Sequence, residues 1–153
     1  MKQPKILIVD DSATIVELLD GLLRAEGFLT VTASNGHAAR LMARTERPDL
    51  ILLDVMMPGE TGFETCAGLK SDPITADTPI IFLSALDDVK NKVKGLQIGG
   101  VDYVSKPVHG EEVLARVRVH LRISENNRTI ASGHRASLQE LREAQQAILV
   151  RPE

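Results

Sequence analysis

Three aspartates and a lysine stand directly after short apolar runs. Asp10 and Asp11 follow Ile6-Leu7-Ile8-Val9, Asp54 follows Leu50-Ile51-Leu52-Leu53, and Lys106 follows Asp102-Tyr103-Val104-Ser105 and precedes Pro107. A fourth run, Ile80 to Leu83, leads into Ser84. A strand that stops at a carboxylate presents it at its C-terminal edge, and ligands of open parallel α/β sheets bind at that edge. Carboxylates gathered there repel one another: two unit charges about 4 Å apart cost about 4 kcal/mol at an effective dielectric near 20. Such a group requires a cation or a raised pKa. Mg2+ suits it, because it takes hard oxygen ligands and commonly sits on one or two carboxylates plus phosphate. Asp11 and Asp54 are expected as direct ligands and Asp10 as a direct or water-mediated one. A backbone carbonyl after Asp54 would add another oxygen. Lys106 supplies compensating charge and a point-charge partner for phosphate. Ser84 offers a hydroxyl to a phosphoryl oxygen, with the small Ala85 beside it. Each residue alone is a weak signal, since most Asp-Asp pairs are caps or solvated turns. The four strand ends taken together point to a site for a divalent cation and a phosphoryl group.

The elements that must carry these residues alternate regularly. Strands are expected at Ile6 to Val9, Leu29 to Ala33, Leu50 to Leu53, Ile80 to Leu83 and Asp102 to Ser105. The first helix follows the Ser12 cap, with Ile15, Leu18, Leu19, Leu22 and Leu23 at helical spacing, and ends at Gly27. A second spans Ala38 to Thr45 before Pro48, and a third Gly62 to Leu69. The fourth covers Asp87 to Ile98, with Val89, Val93 and Leu96 expected inward and Lys90, Lys92 and Lys94 outward. The fifth starts at Glu111, with Val113, Leu114, Val117 and Leu121 inward. Five β-α units on short loops predict an α/β fold, a doubly wound parallel sheet with helices on both faces. Strand order 2-1-3-4-5 is the leading arrangement, and it makes Asp10, Asp11 and Asp54 neighbours.

Bulk properties suit one soluble domain with a remainder. At 153 residues, 43% apolar and 25% charged, the chain can bury a core without disulfides. A net charge of −3 gives no sign of wholesale nucleic-acid binding. Cys66 is the only cysteine and has no metal-ligand spacing around it, so a buried spectator is expected. No apolar stretch approaches the roughly 20 residues of a membrane span. Met1-Lys2-Gln3-Pro4-Lys5 has the wrong form for a signal peptide, so the cytoplasm is the expected compartment.

Four segments together resemble the response-regulator receiver domain of two-component signalling. They are Ile6 to Ser12, Leu53-Asp54-Val55-Met56-Met57-Pro58-Gly59, Leu83-Ser84-Ala85, and Asp102 to Pro107. The resemblance covers residues 5 to about 121 without a gap. It implies a flavodoxin-like (βα)5 fold, with a receiver domain over 1–122. Asp54 then takes the role of phosphoacceptor toward a sensor histidine kinase or phosphotransfer protein. Asp10, Asp11, Asp54 and the Met56 carbonyl would hold Mg2+. Lys106 would pair with the phosphate, the Lys106-Pro107 bond would be cis, and Ser84 and Tyr103 would form the switch. The face of the fourth helix, fifth strand and fifth helix would then pass the signal to an output domain or effector. A homodimer through that face, using Asp102 and Arg116, or through the C-terminal helix, is a further implied partner. Thr61 and Val101 depart from the pattern, standing where relatives often carry acids.

Residues 123–153 read as a helical linker or short coiled coil leading to an absent output domain. Leu138, Leu141 and Ile148 follow helical spacing, while Gly133 weakens the middle by about 1 kcal/mol relative to Ala. The chain stops at Arg151-Pro152-Glu153 without a terminating element, as a piece of a longer protein would. Two other functions use the same residues. A Mg2+-dependent phosphohydrolase would need an acid/base group near the nucleophile, yet Met56 stands two residues after Asp54, where a carboxylate would serve. A non-phosphorylated adaptor would not need Asp10, Asp11, Asp54, Ser84 and Lys106 intact.

Overall fold

The computed structural model describes residues 3–127. The chain runs β1 (Lys5–Val9), α1 (Ala13–Ala25), β2 (Leu29–Ala33), α2 (Gly36–Glu46), β3 (Leu50–Asp54), α3 (Gly62–Ser71), β4 (Ile80–Ser84), α4 (Val89–Ile98) and β5 (Asp102–Ser105). A fifth helix, α5, is described over 110–127. The strands are parallel in the order β2-β1-β3-β4-β5, as expected. Alternation along each strand divides the interior in two, because successive side chains point to opposite faces. Leu7, Val9, Ile51, Leu53, Ile80 and Phe82 meet Ala39, Ala43, Phe63, Cys66 and Leu69 of α2 and α3. Ile6, Ile8, Leu50, Leu52, Ile81 and Leu83 meet Leu19 and Leu23 of α1 and Val113 and Val117 of α5. Two covered faces explain why the central strands are apolar throughout rather than alternating.

Local signals start the helices. The Ser12 Oγ accepts from the Ile15 N–H, Asn35 accepts from the Ala38 N–H, and Thr61 with Glu64 closes a capping box. Both α2 and α3 are longer than expected, by residues at their polar ends that carry no periodicity.

Two inward assignments are corrected. Leu18 of α1 is exposed, since Leu19 and Leu23 fill the sheet-facing position. On α4, Val89 (74% exposed), Val93 (43%) and Leu96 (50%) face outward. The buried residue is Gly95, with Asn91 and Ile98 half-buried on the same stripe. A Cβ at Gly95 would come within 3.0 Å of the Phe82 ring and 3.2 Å of the Tyr103 ring. The helix therefore approaches the sheet through its glycine, which turns the valines away. Helical periodicity alone could not distinguish the two faces.

The chain divides into two units, Met1–Leu121 and Arg122–Glu153. The first holds the sheet and its helices. In the second, residues 122–127 are helical, and the rest of the expected linker lies outside the described residues. Among the described residues no helix is long and apolar enough to cross a membrane.

Candidate functional site

Register carries the acids together. Val9 pairs with Leu53 across β1 and β3, so Asp10 follows one partner and Asp54 the other. Asp10, Asp11 and Asp54 each offer an oxygen, all within 4.8 Å of one another. Asp10 and Asp54 are buried, at 1% and 2% exposure, while Asp11 faces solvent. Ser84 pairs with Ser105 across β4 and β5, which brings Lys106 to the same edge. The Lys106 Nζ donates to Asp10 Oδ2 at 2.9 Å and to Asp54 Oδ1 at 3.2 Å. The Lys106-Pro107 peptide is cis. Asp10 Oδ1 also accepts from the Ser12 N–H, and Asp54 Oδ1 from the Met56 N–H at 3.3 Å.

The electrostatics follow from this crowding. Burial and the neighbouring Asp10 charge push the Asp54 carboxyl up to about 6, against the pull of Lys106 and the Met56 N–H. Burial lowers the Lys106 ammonium, but the hydrogen bond to Asp10 and the charges of Asp54 and Asp10 outweigh it and hold the pKa above its ordinary value. Three carboxylates against one ammonium leave two negative charges in excess when all are ionised. A divalent cation matches that excess in charge and in its preference for oxygen donors. The donor set therefore fits Mg2+. Asp54 is also a carboxylate held out of bulk water beside the Lys106 ammonium.

The remaining predicted residues occupy the β4-α4 corner. Ser84 is buried, and its Oγ accepts from the Leu86 N–H at 3.0 Å. The Tyr103 hydroxyl donates to the Leu86 carbonyl at 2.6 Å, and its buried ring packs at 6.1 Å from Phe82. Burial raises the Tyr103 phenol, countered in part by Ser84. Leu86 thus links Ser84 and Tyr103 through its backbone, which no side-chain pattern could have signalled. Ser84→Ala is expected to cost about 1–3 kcal/mol, because it leaves a partly buried N–H without its acceptor. Chemical denaturation checks this, and an unchanged midpoint would contradict it.

Asp102 and Arg116, expected across a dimer, pair within one chain. The Arg116 Nη1 donates to both Asp102 oxygens at 3.0 and 2.9 Å, and His120 Nε2 lies 3.0 Å from Oδ2. Burial raises the Asp102 carboxyl, but the Arg116 and His120 hydrogen bonds outweigh it and hold its pKa below the ordinary range. The role of His120 was missed. Its spacing one turn after Arg116 on α5 was the available signal. Cys66 is buried, which pushes its thiol up to about 11 and suits a spectator.

The comparisons agree with this geometry. The family model for the response regulator receiver domain matches residues 6–118. Response regulator PleD of Caulobacter vibrioides is 42% identical over 135 residues, covering 86% of this chain and 30% of the relative. The alkaline phosphatase synthesis transcriptional regulatory protein PhoP of Bacillus subtilis is 46% identical over 121 residues, covering 79% of this chain and 50% of the relative. The chain thus spans half or less of the length of these curated relatives. Among solved structures, the Francisella response regulator 1452 receiver domain superposes with a TM-score of 0.75 at 34% identity, covering 80% of this chain and 99% of that one. The BeF3-activated N-terminal receiver domain of Klebsiella pneumoniae RstA gives 0.72 at 34% identity, covering 77% and 98%. A match across the whole sheet, with buried acids and a lysine gathered at its C-terminal edge, leaves one conclusion: this chain belongs to the response regulator receiver domains of two-component systems.

Proposed function

We propose that Asp54 accepts a phosphoryl group from the phosphohistidine of a sensor histidine kinase or phosphotransfer protein. The observation that carries this reading is a nearly fully buried Asp54 bonded to Lys106 and flanked by Asp10 and Asp11. One Asp54 oxygen attacks phosphorus, the P–N bond breaks, and its electron pair leaves with the histidine. Phosphoryl transfer depends on alignment and charge neutralisation more than on covalent assistance. Asp10, Asp11, Asp54 and the Met56 carbonyl would hold Mg2+, which would neutralise charge on the phosphoryl oxygens. Lys106 pairs with a phosphoryl oxygen. Water later attacks the acyl phosphate and restores Asp54, so the mark is transient. Beyond this self-directed chemistry the domain is a signalling module.

The phosphoryl group carries about −1.5 to −2 charge, by analogy with other phosphoresidues, in place of the single carboxylate charge that forming the acyl phosphate removes. That charge draws the Ser84 hydroxyl toward it and away from the Leu86 N–H. The Tyr103–Leu86 bond and the α4-β5-α5 face then readjust, a two-state element biased by local charge. Residues 1–122 act as the receiver, and 123–153 relay the change to an output domain or effector, in the cytoplasm and without direct nucleic-acid contact. A homodimer through the α4-β5-α5 face or the C-terminal helix is one means of relay.

Incubation with Mg2+ and acetyl phosphate, followed by peptide mass spectrometry, tests the assignment. One labile phosphoryl group on Asp54 is expected. Turnover of added phosphoesters would instead favour a hydrolase, and inertness an adaptor.

A further inference from the structure

Glu60 lies in the loop between β3 and α3 and is engaged on two sides. Its Oε2 accepts from the hydroxyl of the buried Thr65 on α3 at 2.7 Å. Its Oε1 lies 3.0 Å from Arg40 Nη2 on α2. Two glycines make room for this arrangement. A Cβ at Gly36, the first residue of α2, would stand 2.1 Å from Glu60 Oε2 and 2.3 Å from the Thr65 hydroxyl oxygen. A Cβ at Gly68 on α3 would stand 3.0 Å from both Cδ and Nη1 of Arg40. The carboxylate is therefore pressed against the first turn of α2, where unsatisfied N–H groups and the helix dipole favour negative charge. Arg40 lies across α3 to reach it.

The same loop contains Met56. Its base is closed by the Gly62 N–H donating to the Val55 carbonyl at 2.9 Å, and Met57 anchors it in the core at 6% exposure. Beyond Met57 the chain turns through Pro58 and Gly59, the latter at φ +79°. Glu60 is the polar tether that follows, fastening the outer part of the loop to α2 and α3.

We propose that Arg40, Glu60 and Thr65 form a positioning network for Mg2+: they hold the β3-α3 loop so that the Met56 carbonyl faces Asp54 and Asp10. This rests on the metal assignment proposed above and extends it to residues that touch no ligand. Loosening the tether lets the loop spend part of its time with that carbonyl turned away. Apparent affinity falls by the fraction of chains left competent. Arg40 and Glu60 are partly exposed, so the loss is modest.

The experiment is a Mg2+ titration of the full chain by NMR, following the amides of residues 54–57 and 59–62, with thermal unfolding in parallel. Arg40→Ala and Glu60→Ala are expected to raise the Mg2+ Kd by about twofold to fivefold, the size of one partly exposed ion pair. The double variant should bind no worse than the weaker single one, and Arg40→Lys should recover part of the loss. A network that only supported the fold would lower the melting temperature and leave Kd unchanged. Kd values within experimental error of the parent in both folded alanine variants would overturn this proposal alone. Absence of Mg2+ binding by the parent chain would overturn the metal assignment and this proposal with it.

Discussion

Asp54→Asn is expected to abolish phosphoryl incorporation and, in Mg2+-free buffer at neutral pH, to stabilise the fold by about 2–3 kcal/mol. The first effect follows from replacing the nucleophilic oxygen pair with an amide. The second follows from the pKa. Burial and Asp10 raise the Asp54 carboxyl from 3.8 to about 6. Between those values the folded chain binds more protons than the unfolded one, so stability falls as pH rises through that window. Above about 6 the penalty is complete, roughly two pH units at about 1.4 kcal/mol each. Asparagine carries no charge and escapes it. Denaturant unfolding of both proteins should therefore show a gap at pH 7 that narrows toward pH 4. Added Mg2+ should reverse the order, because ligand binding to the folded state stabilises the parent more than the variant. Full incorporation into the variant, or equal stability of the two at pH 7 without Mg2+, would contradict the assigned environment of Asp54.

Removal of the lysine should produce the opposite sign. Lys106 is the ammonium bonded to both buried carboxylates. Lys106→Ala leaves Asp10 and Asp54 without their compensating ammonium, a change that costs about 3–5 kcal/mol at buried pairs. The cost requires ionised acids. It should be largest above the raised Asp54 pKa and should shrink as protonation removes charge at lower pH. Mg2+ binding should survive, because the carboxylates and the Met56 carbonyl remain, and saturating Mg2+ should restore part of the lost stability. The phosphoryl group, if accepted, would lack its pairing cation, and the response of the α4-β5-α5 face should be uncoupled. Unfolding curves with and without Mg2+ across pH 5 to 8, an interval of about three pH units around the raised carboxyl, test the first part. NMR shifts of Ser84, Leu86 and Tyr103 after acetyl phosphate treatment test the second. A pH-independent loss would show that the Lys106 contribution is packing rather than charge.

Much of the candidate site was legible because its signals are local. An apolar run ending at Asp10, Asp54 or Ser84 states both that a strand is buried and what stands at its edge. Five such runs separated by helical segments leave few topologies, and the parallel order brings those edges together. The Lys106-Pro107 dipeptide marked the fourth corner. Charge balance called for Lys106 at that edge, while its bonds to both Asp10 and Asp54 belong to the tertiary structure.

What escaped the sequence depends on contacts between distant segments. The α4 valines have inward-looking spacing, yet the sheet accepts Gly95, because the Phe82 and Tyr103 rings already fill the space a larger residue would need. The bond from Tyr103 to Leu86 uses a backbone carbonyl, which carries no residue-type signal. Asp102 finds Arg116 and His120 in its own chain because β5 and α5 are adjacent, a fact no local pattern contains. Glu60 in its loop has no evident purpose until α2 and α3 bring Arg40 and Thr65 to it. The succession of strands and helices and the chemistry at the strand ends could be read along the chain because hydrophobic periodicity and strand-end residues are one-dimensional properties. Helix rotation, the choice of ion-pair partner and the pKa of Asp54 could not, because packing and charge act through space on residues the chain keeps far apart.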